Sequence, residues 1–243
     1  MMKALILSAG LGTRLRPYSN LTPKPLFTLA DRPLLDLHIR QLAQMGCEAA
    51  AVNTHHLNEA VEKFIRQQTY PIPVHMRHET RLLGTGGAID NLTDFWGNEP
   101  FVVINADIFH EFDLAAIYDY HCRHSDPVTL VLYDDPAFNS VTVDRQNCVR
   151  RFQKSSPEAP PPHSRMRTFT GIQVLDPLVL DFMPSGQPSH SIDAYAAMMK
   201  AGYTIKAYEP DDGYWTDLGT PERYRDLARK MTAQSGFKAA FGD

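Results

Sequence analysis

Through the first half of the chain, short apolar runs alternate with stretches whose apolar residues recur at helical spacing. Lys3–Leu7 predicts a buried strand. Residues 33–45 predict a helix, with Leu35, Ile39 and Leu42 at i, i+4 and i+7 and Pro33 in its first turn. Residues 49–53 and 73–77 read as further strands, 57–67 and 87–92 as helices, and Phe101–Asn105 as a strongly apolar strand. Asp113 is placed to cap a helix reaching about His124, after which Val128–Tyr133 returns as a strand. This β-α-β-α rhythm predicts a mainly parallel sheet with helices on both faces.

The second half is less regular. Residues 141–143 and Val149–Phe152 predict a hairpin pair, and 155–165 (SSPEAPPPHSR) a polar loop, because Pro160, Pro161 and Pro162 do not fit a central strand. Residues 169–175 read as a strand, 192–200 as a helix and 204–208 as a strand, and Thr220 caps a last helix that opens at Pro221. No internal repeat occurs, and no hexapeptide array follows residue 232, so one domain over residues 1–243 is expected.

Composition narrows the function classes. At 43% hydrophobic and 21% charged, the chain has ordinary globular usage, which argues against collagen, coiled coil and wholesale disorder. Lys plus Arg number 24 against 28 Asp plus Glu, a net charge of -4, which disfavours a protein that coats nucleic acid but allows a local basic pocket for a phosphate ligand. Cys47, Cys122 and Cys148 lie far apart with no CxxC, so neither a disulfide framework nor a zinc knuckle is indicated. The apolar run at 4–9 is short for a signal peptide, and no stretch approaches the roughly 20 apolar residues of a membrane span. A soluble cytoplasmic protein, with neither membrane nor nucleic acid as partner, is the expectation.

The first strand leads into Gly10-Leu11-Gly12-Thr13-Arg14-Leu15-Arg16-Pro17, followed by Thr22-Pro23-Lys24-Pro25. A glycine loop leaving a buried strand lets backbone N–H groups crowd round a phosphate. Arg14 adds a bidentate phosphate donor and Lys24 a point charge from a proline-stiffened segment. Leu15 stands where a dinucleotide fingerprint needs its third glycine, and no Walker GK[ST] occurs. A bare GxG would read as a surface turn; this longer constellation reads as a phosphate cradle.

Two acids extend the picture. Asp107 follows the apolar strand at its carboxyl end, where open α/β sheets bind ligands, and Asp113 is the better cap for the next helix. Asp217, in Trp215-Thr216-Asp217-Leu218-Gly219-Thr220, is likewise spared by Thr220. Two otherwise unemployed carboxylates suit a hard cation such as Mg²⁺, which takes its remaining oxygens from phosphate and water.

Gly10 to Pro25 resembles the opening motif of the sugar-1-phosphate nucleotidyltransferases, G-x-G-[ST]-R-[LM]-x-P-x-T-x-x-x-P-K-P, with Ser19 in place of the usual threonine. Later blocks extend the resemblance over nearly the whole chain. It implies a Rossmann-like three-layer α/β/α fold with a mainly parallel mixed sheet. It also implies that Arg14, Lys24 and Asp107 are catalytic, that Asp107 and Asp217 are Mg²⁺ ligands, and that Ala106 replaces a usual glycine. Ala9, Gly10, Leu11, Gly12, Thr13 and Asn105 join Arg14 and Lys24 in contacting nucleotide under the same resemblance. The block from Glu79 to Ala88 (ETRLLGTGGA) is similar to the family's base-contacting E-x-x-x-L-G-T-[AG]-G, implying nucleobase contacts from Glu79, Gly84 and Thr85. Phe152-Gln153-Lys154 is similar to F-x-E-K-P and Phe169-Thr170-Gly171-Ile172 to the F-x-G-I strand, which implies sugar-phosphate contacts from Gln153, Lys154 and Gly171, joined by Asn139.

The reaction so implied joins a nucleoside triphosphate, UTP or GTP, to a sugar 1-phosphate and releases pyrophosphate. The sequence leaves base, sugar and oligomeric state open. Two alternatives stand beside it: a cytidylyltransferase for a non-sugar phosphate such as phosphocholine, and a non-catalytic nucleotide sensor.

Overall fold

A computed structural model describes residues 2–29, 31–153 and 162–233. Its strands in chain order are β1 (Lys3–Leu7), β2 (Thr28–Leu29), β3 (Arg32–Pro33), β4 (Ala49–Thr54), β5 (Val74–His78), β6 (Phe101–Asn105), β7 (Ile108–His110), β8 (Val128–Tyr133), β9 (Val141–Asp144), β10 (Val149–Phe152), β11 (Ser164–Leu175), β12 (Ile205–Tyr208) and β13 (Trp215–Asp217). The helices are α1 (Leu34–Gln44), α2 (Asn58–Arg66), α3 (Gly84–Asp90), α4 (Leu114–Cys122), α5 (Ser191–Lys200) and α6 (Pro221–Ala233). Two compact units emerge. The first draws on Met1–Leu82, Ile104–Leu114 and Tyr214–Asp243, the second on Leu83–Val103 and Ala115–Gly213.

In the first unit β1, β4 and β5 run parallel in that order, with Leu5 opposite Ala51 and Val52 opposite Met76. The apolar runs of β1 and β4 are buried throughout their centres, as fully covered parallel strands require. α1 starts at Leu34, one residue inside the expected bound, because Pro33 is extended (φ -61, ψ 144). Its Leu34 and Leu37 join a cluster with Leu29, Phe109, Leu218, Leu227 and Met231. α2 starts after Leu57, whose backbone is left-handed at φ 53.

In the second unit the strand order is β10-β9-β11-β8-β12, antiparallel except for β8 with β12. The sheet is thus mixed, its parallel strands concentrated early in the chain. β11 begins at Ser164, five residues ahead of the expected strand. The polar residues there are held by pairing with β9 and by Glu209, which accepts hydrogen bonds from Arg165 and Arg167. Residues 155–161 of the expected proline-rich loop lie outside the described residues. No helix among those described is long and apolar enough to cross a membrane.

Burial disfavours the charged form of four histidines. His38 on α1 and His110 on β7 stack with centroids 5.8 Å apart, and burial pushes them down to about 4 and about 3. His121 and His124 flank the buried Thr129 hydroxyl at 2.9 and 3.0 Å, and burial lowers both. Their folded values lie below the unfolded 6.5, so the unfolded chain binds more protons as pH falls from 6.5 towards 4. Stability should therefore be full above about pH 7 and fall by a few kcal/mol between pH 6.5 and 4. Urea unfolding midpoints across that range check this; a midpoint independent of pH would contradict it.

Candidate active site

The first unit gathers most of the expected phosphate and metal groups at strand ends. Beyond β1 the loop is folded tightly. Gly12 is left-handed at φ 60, a backbone that favours glycine, and a Cβ there would lie 3.1 Å from the Ser19 Cβ. The Ser19 hydroxyl donates to the Gly12 carbonyl at 2.8 Å. The hydroxyl at this position therefore closes the loop on itself, a task that serine performs as well as threonine.

Three short 3-10 turns follow, Thr13–Leu15, Tyr18–Asn20 and Lys24–Leu26. The first leaves Arg14 exposed above the buried Leu15. The third presents Lys24, only 9% exposed, whose ammonium meets Asp107 Oδ2 at 2.5 Å. A buried lysine needs a partner, and Asp107, one third exposed, supplies it while keeping a face open.

The two acids are brought together by a pairing that the apolar pattern does not reveal. β7 and β13 run antiparallel with Asp217 opposite Ile108, and the Leu218 N–H donates to the Asp107 carbonyl at 2.8 Å. Both strands are three residues long, too short for an alternation signal. Asp217 accepts the Gly219 N–H at 2.9 Å through Oδ1. Gly219 also explains how Arg14 approaches. A Cβ on Gly219 would fall 2.5 Å from Arg14 Nη2 and 2.5 Å from Asp217 Oδ1. Gly219 is not among the positive-φ glycines, so space rather than backbone conformation demands it.

The remaining expected residues fall into two groups. Glu79, just after β5, is 2% exposed and its Oε1 accepts the Asn53 Nδ2–H at 2.7 Å. Ala9 is buried and Asn105 half-buried, at the ends of β1 and β6. In the second unit Gly84, Gly86 and Gly87 line α3 closely against residues 187–191. A Cβ on each would come within 2.7 Å of Ser189 or Gln187 atoms, and the Gly86 N–H donates to the Ser189 carbonyl at 3.0 Å. The Thr85 hydroxyl accepts the Ser191 N–H at 2.9 Å at the start of α5. This contact also explains why α3 starts at Gly84, three residues ahead of expectation.

Asn139 bonds Asp134 and accepts from Thr168, pinning the loop after β8 to β11. The Gln153 N–H donates to the Ser140 carbonyl at 2.7 Å. Gly171, at φ 87, sits where the β11–β8 register shifts between Phe169 and Gln173, a bulge that favours glycine. Lys154 lies outside the described residues. Asn53, Ser8 and Gly219, which the sequence does not single out, also enter this geometry. The one available signal for Asn53 is a polar side chain ending an otherwise apolar strand.

The chain belongs to the nucleotidyl transferase family, whose model matches residues 3–234. A mannose-1-phosphate guanylyltransferase catalytic subunit beta of Drosophila melanogaster is 30% identical over 230 residues, 91% of this chain and 60% of that protein. The mannose-1-phosphate guanylyltransferase of Mycobacterium tuberculosis is 30% identical over 250 residues, 99% and 68% respectively. The chain thus spans about 60% of the length of the first of these relatives. Among solved structures, HddC from Yersinia pseudotuberculosis matches with TM-score 0.77 at 23% identity over 95% of this chain and 100% of its own. A UTP-bound UGPase from Acinetobacter baumannii matches with TM-score 0.79 at 21% identity over 95% and 93%. The fold is that of the nucleotide-diphospho-sugar transferases, as the sequence resemblance implied.

The geometry round Gly219 yields a direct test. Gly219→Ala should melt within a few degrees of the parent, since the crowded atoms are ends of flexible side chains. Turnover should fall by roughly 100-fold, because Arg14 and the Asp217 carboxylate must both move. Melting curves and pyrophosphate release check the pair of outcomes; unchanged turnover would remove Gly219 from the site.

Proposed function

We propose that the chain is a sugar-1-phosphate nucleotidyltransferase, condensing a nucleoside triphosphate with a sugar 1-phosphate and releasing pyrophosphate. The observation that carries the reading is the close set of two acids and two bases, Lys24 on Asp107 and Arg14 beside Asp217 at Gly219. Residues 1–243 act together as one nucleotidyltransferase domain, on small phosphates rather than nucleic acid, in the cytoplasm. GTP with mannose 1-phosphate is the pair supported by the named relatives, and UTP is the next candidate nucleotide.

A sugar phosphate is already anionic, so the chemistry needs little from a general base and much from positioning and charge. Lys24 neutralises charge building on the α-phosphate, and Arg14 grips the departing pyrophosphate through its fork of donors. Backbone N–H groups from Ala9 to Thr13 cradle the triphosphate. The donor set fits Mg²⁺: two hard carboxylates, with Asp107 one third exposed. Asp107 and Asp217 would hold the cation, which would supply charge neutralisation for the phosphates. Asn139, Gln153, Lys154 and Gly171 serve the sugar phosphate in this reading, and Gly84 and Thr85 the base.

The test is pyrophosphate release from ATP, CTP, GTP, UTP and dTTP, each against a panel of sugar 1-phosphates and phosphocholine. Release with one nucleotide and a sugar 1-phosphate is the expected result. Release only with CTP and phosphocholine, or nucleotide binding without any release, would overturn it. Asp107→Ala should lower turnover by at least about 100-fold while the protein still folds; near-normal activity would remove Asp107 from the metal site.

A further inference from the structure

Glu79 opens the block that resembles a base-contacting segment, yet its carboxylate is turned into the protein. β1, β4 and β5 lie side by side, with Leu7 opposite Asn53 and Thr54 opposite His78. At their carboxyl ends a single row of hydrogen bonds crosses all three strands. The Ser8 N–H donates to Asn53 Oδ1 at 2.7 Å, and Asn53 Nδ2 donates to Glu79 Oε1 at 2.7 Å. The Glu79 backbone is clamped as well: its N–H donates to the Thr54 carbonyl at 2.7 Å, and its carbonyl accepts from His55 Nδ1 at 2.8 Å. Ser8, Asn53 and Glu79 are all buried.

Burying a carboxylate is costly, and an apolar residue would seal this floor without that penalty. The row therefore has a use beyond packing, and its far end shows which. Ser8 is the residue that turns β1 into the glycine loop. On its other side, the Leu7 carbonyl accepts the Ala106 N–H at 2.9 Å, next to Asp107. The entrance to the phosphate loop is thus gripped between the peptide beside the metal aspartate and the Asn53–Glu79 pair.

We propose that Glu79 is a positioning residue that acts through Asn53 on Ser8, fixing the phosphate loop for every nucleoside triphosphate alike, and that the base is read elsewhere. This deepens the nucleotidyltransferase reading and rests on it. Loop placement sets the triphosphate's position against Arg14, Lys24 and the acids, so its loss lowers turnover without changing the order of preference among bases.

A polarity swap tests it. Asn53→Asp keeps the acceptor for Ser8 but sets two carboxylates against each other. Adding Glu79→Gln restores a donor–acceptor pair, because the introduced amide can donate to the introduced carboxylate. Wild-type pyrophosphate release is measured first; its absence with every nucleotide and sugar phosphate would sink the nucleotidyltransferase reading itself. With an active parent, Asn53→Asp should lower kcat/KM about tenfold or more for each nucleotide in equal measure. The double variant should recover most of that loss. The proposal is overturned if Asn53→Asp leaves kcat/KM unchanged, if Glu79→Gln alone reorders the nucleotides, or if the double variant melts like the parent yet stays as impaired as Asn53→Asp. Should Asn53→Asp not fold, Asn53→Ala gives the same comparison: a uniform loss supports positioning, and a loss confined to one base contradicts it.

Discussion

The first unit depends on one short backbone pairing that brings two acidic residues, Asp107 and Asp217, to neighbouring segments, each with a basic side chain beside it. The short β7–β13 ladder fixes Asp107 and Asp217 side by side through backbone bonds that no side-chain change can easily undo. Lys24 answers one charge from a nearly buried position, and Arg14 comes alongside the other over a glycine that leaves it room. The glycine loop, its 3-10 turns and the Ser19 hydroxyl serve to deliver those two bases. In the proposed function, this balance of charges is what a cation and a triphosphate would meet.

Beneath that surface lies a second constraint. At the ends of these buried parallel strands the Ser8 N–H, the Asn53 side-chain amide and Glu79 Oε1 satisfy one another in a row. His38 serves a similar end from α1. Its Nε2–H donates to the carbonyl of Ile108, the residue after Asp107, at 3.1 Å, while burial keeps the ring neutral. The polar floor thus holds the backbone to which the charged groups are attached.

Much of this was legible in the sequence, for identifiable reasons. Long apolar runs such as Phe101–Asn105 and Val128–Tyr133 fall where expected, because burial on both faces leaves a continuous signature. Arg14, Lys24, Asp107 and Asp217 could be singled out because their flanking glycines and prolines form a long, uncommon string. What escaped notice depends on tertiary partners. Three-residue strands carry no periodicity, so the meeting of Asp107 with Asp217 was invisible. Gly219 carries no sequence signal of its own, and only the approach of Arg14 and Asp217 shows that a larger residue there would displace both side chains. The polar start of β11 resembled loop until Glu209 was seen to take its arginines.

The central claim is that two acids and two bases form one site for a metal-bound triphosphate, and Mn²⁺ binding followed by electron paramagnetic resonance addresses it most directly. Free Mn²⁺ would be titrated with protein, with and without nucleoside triphosphate, for the parent and for Asp107→Asn. Protein should increase Mn²⁺ binding beyond that of nucleotide alone, and Asp107→Asn should abolish the increase. Binding that ignores Asp107, or protein that adds nothing to what nucleotide holds by itself, would contradict a shared metal and phosphate site.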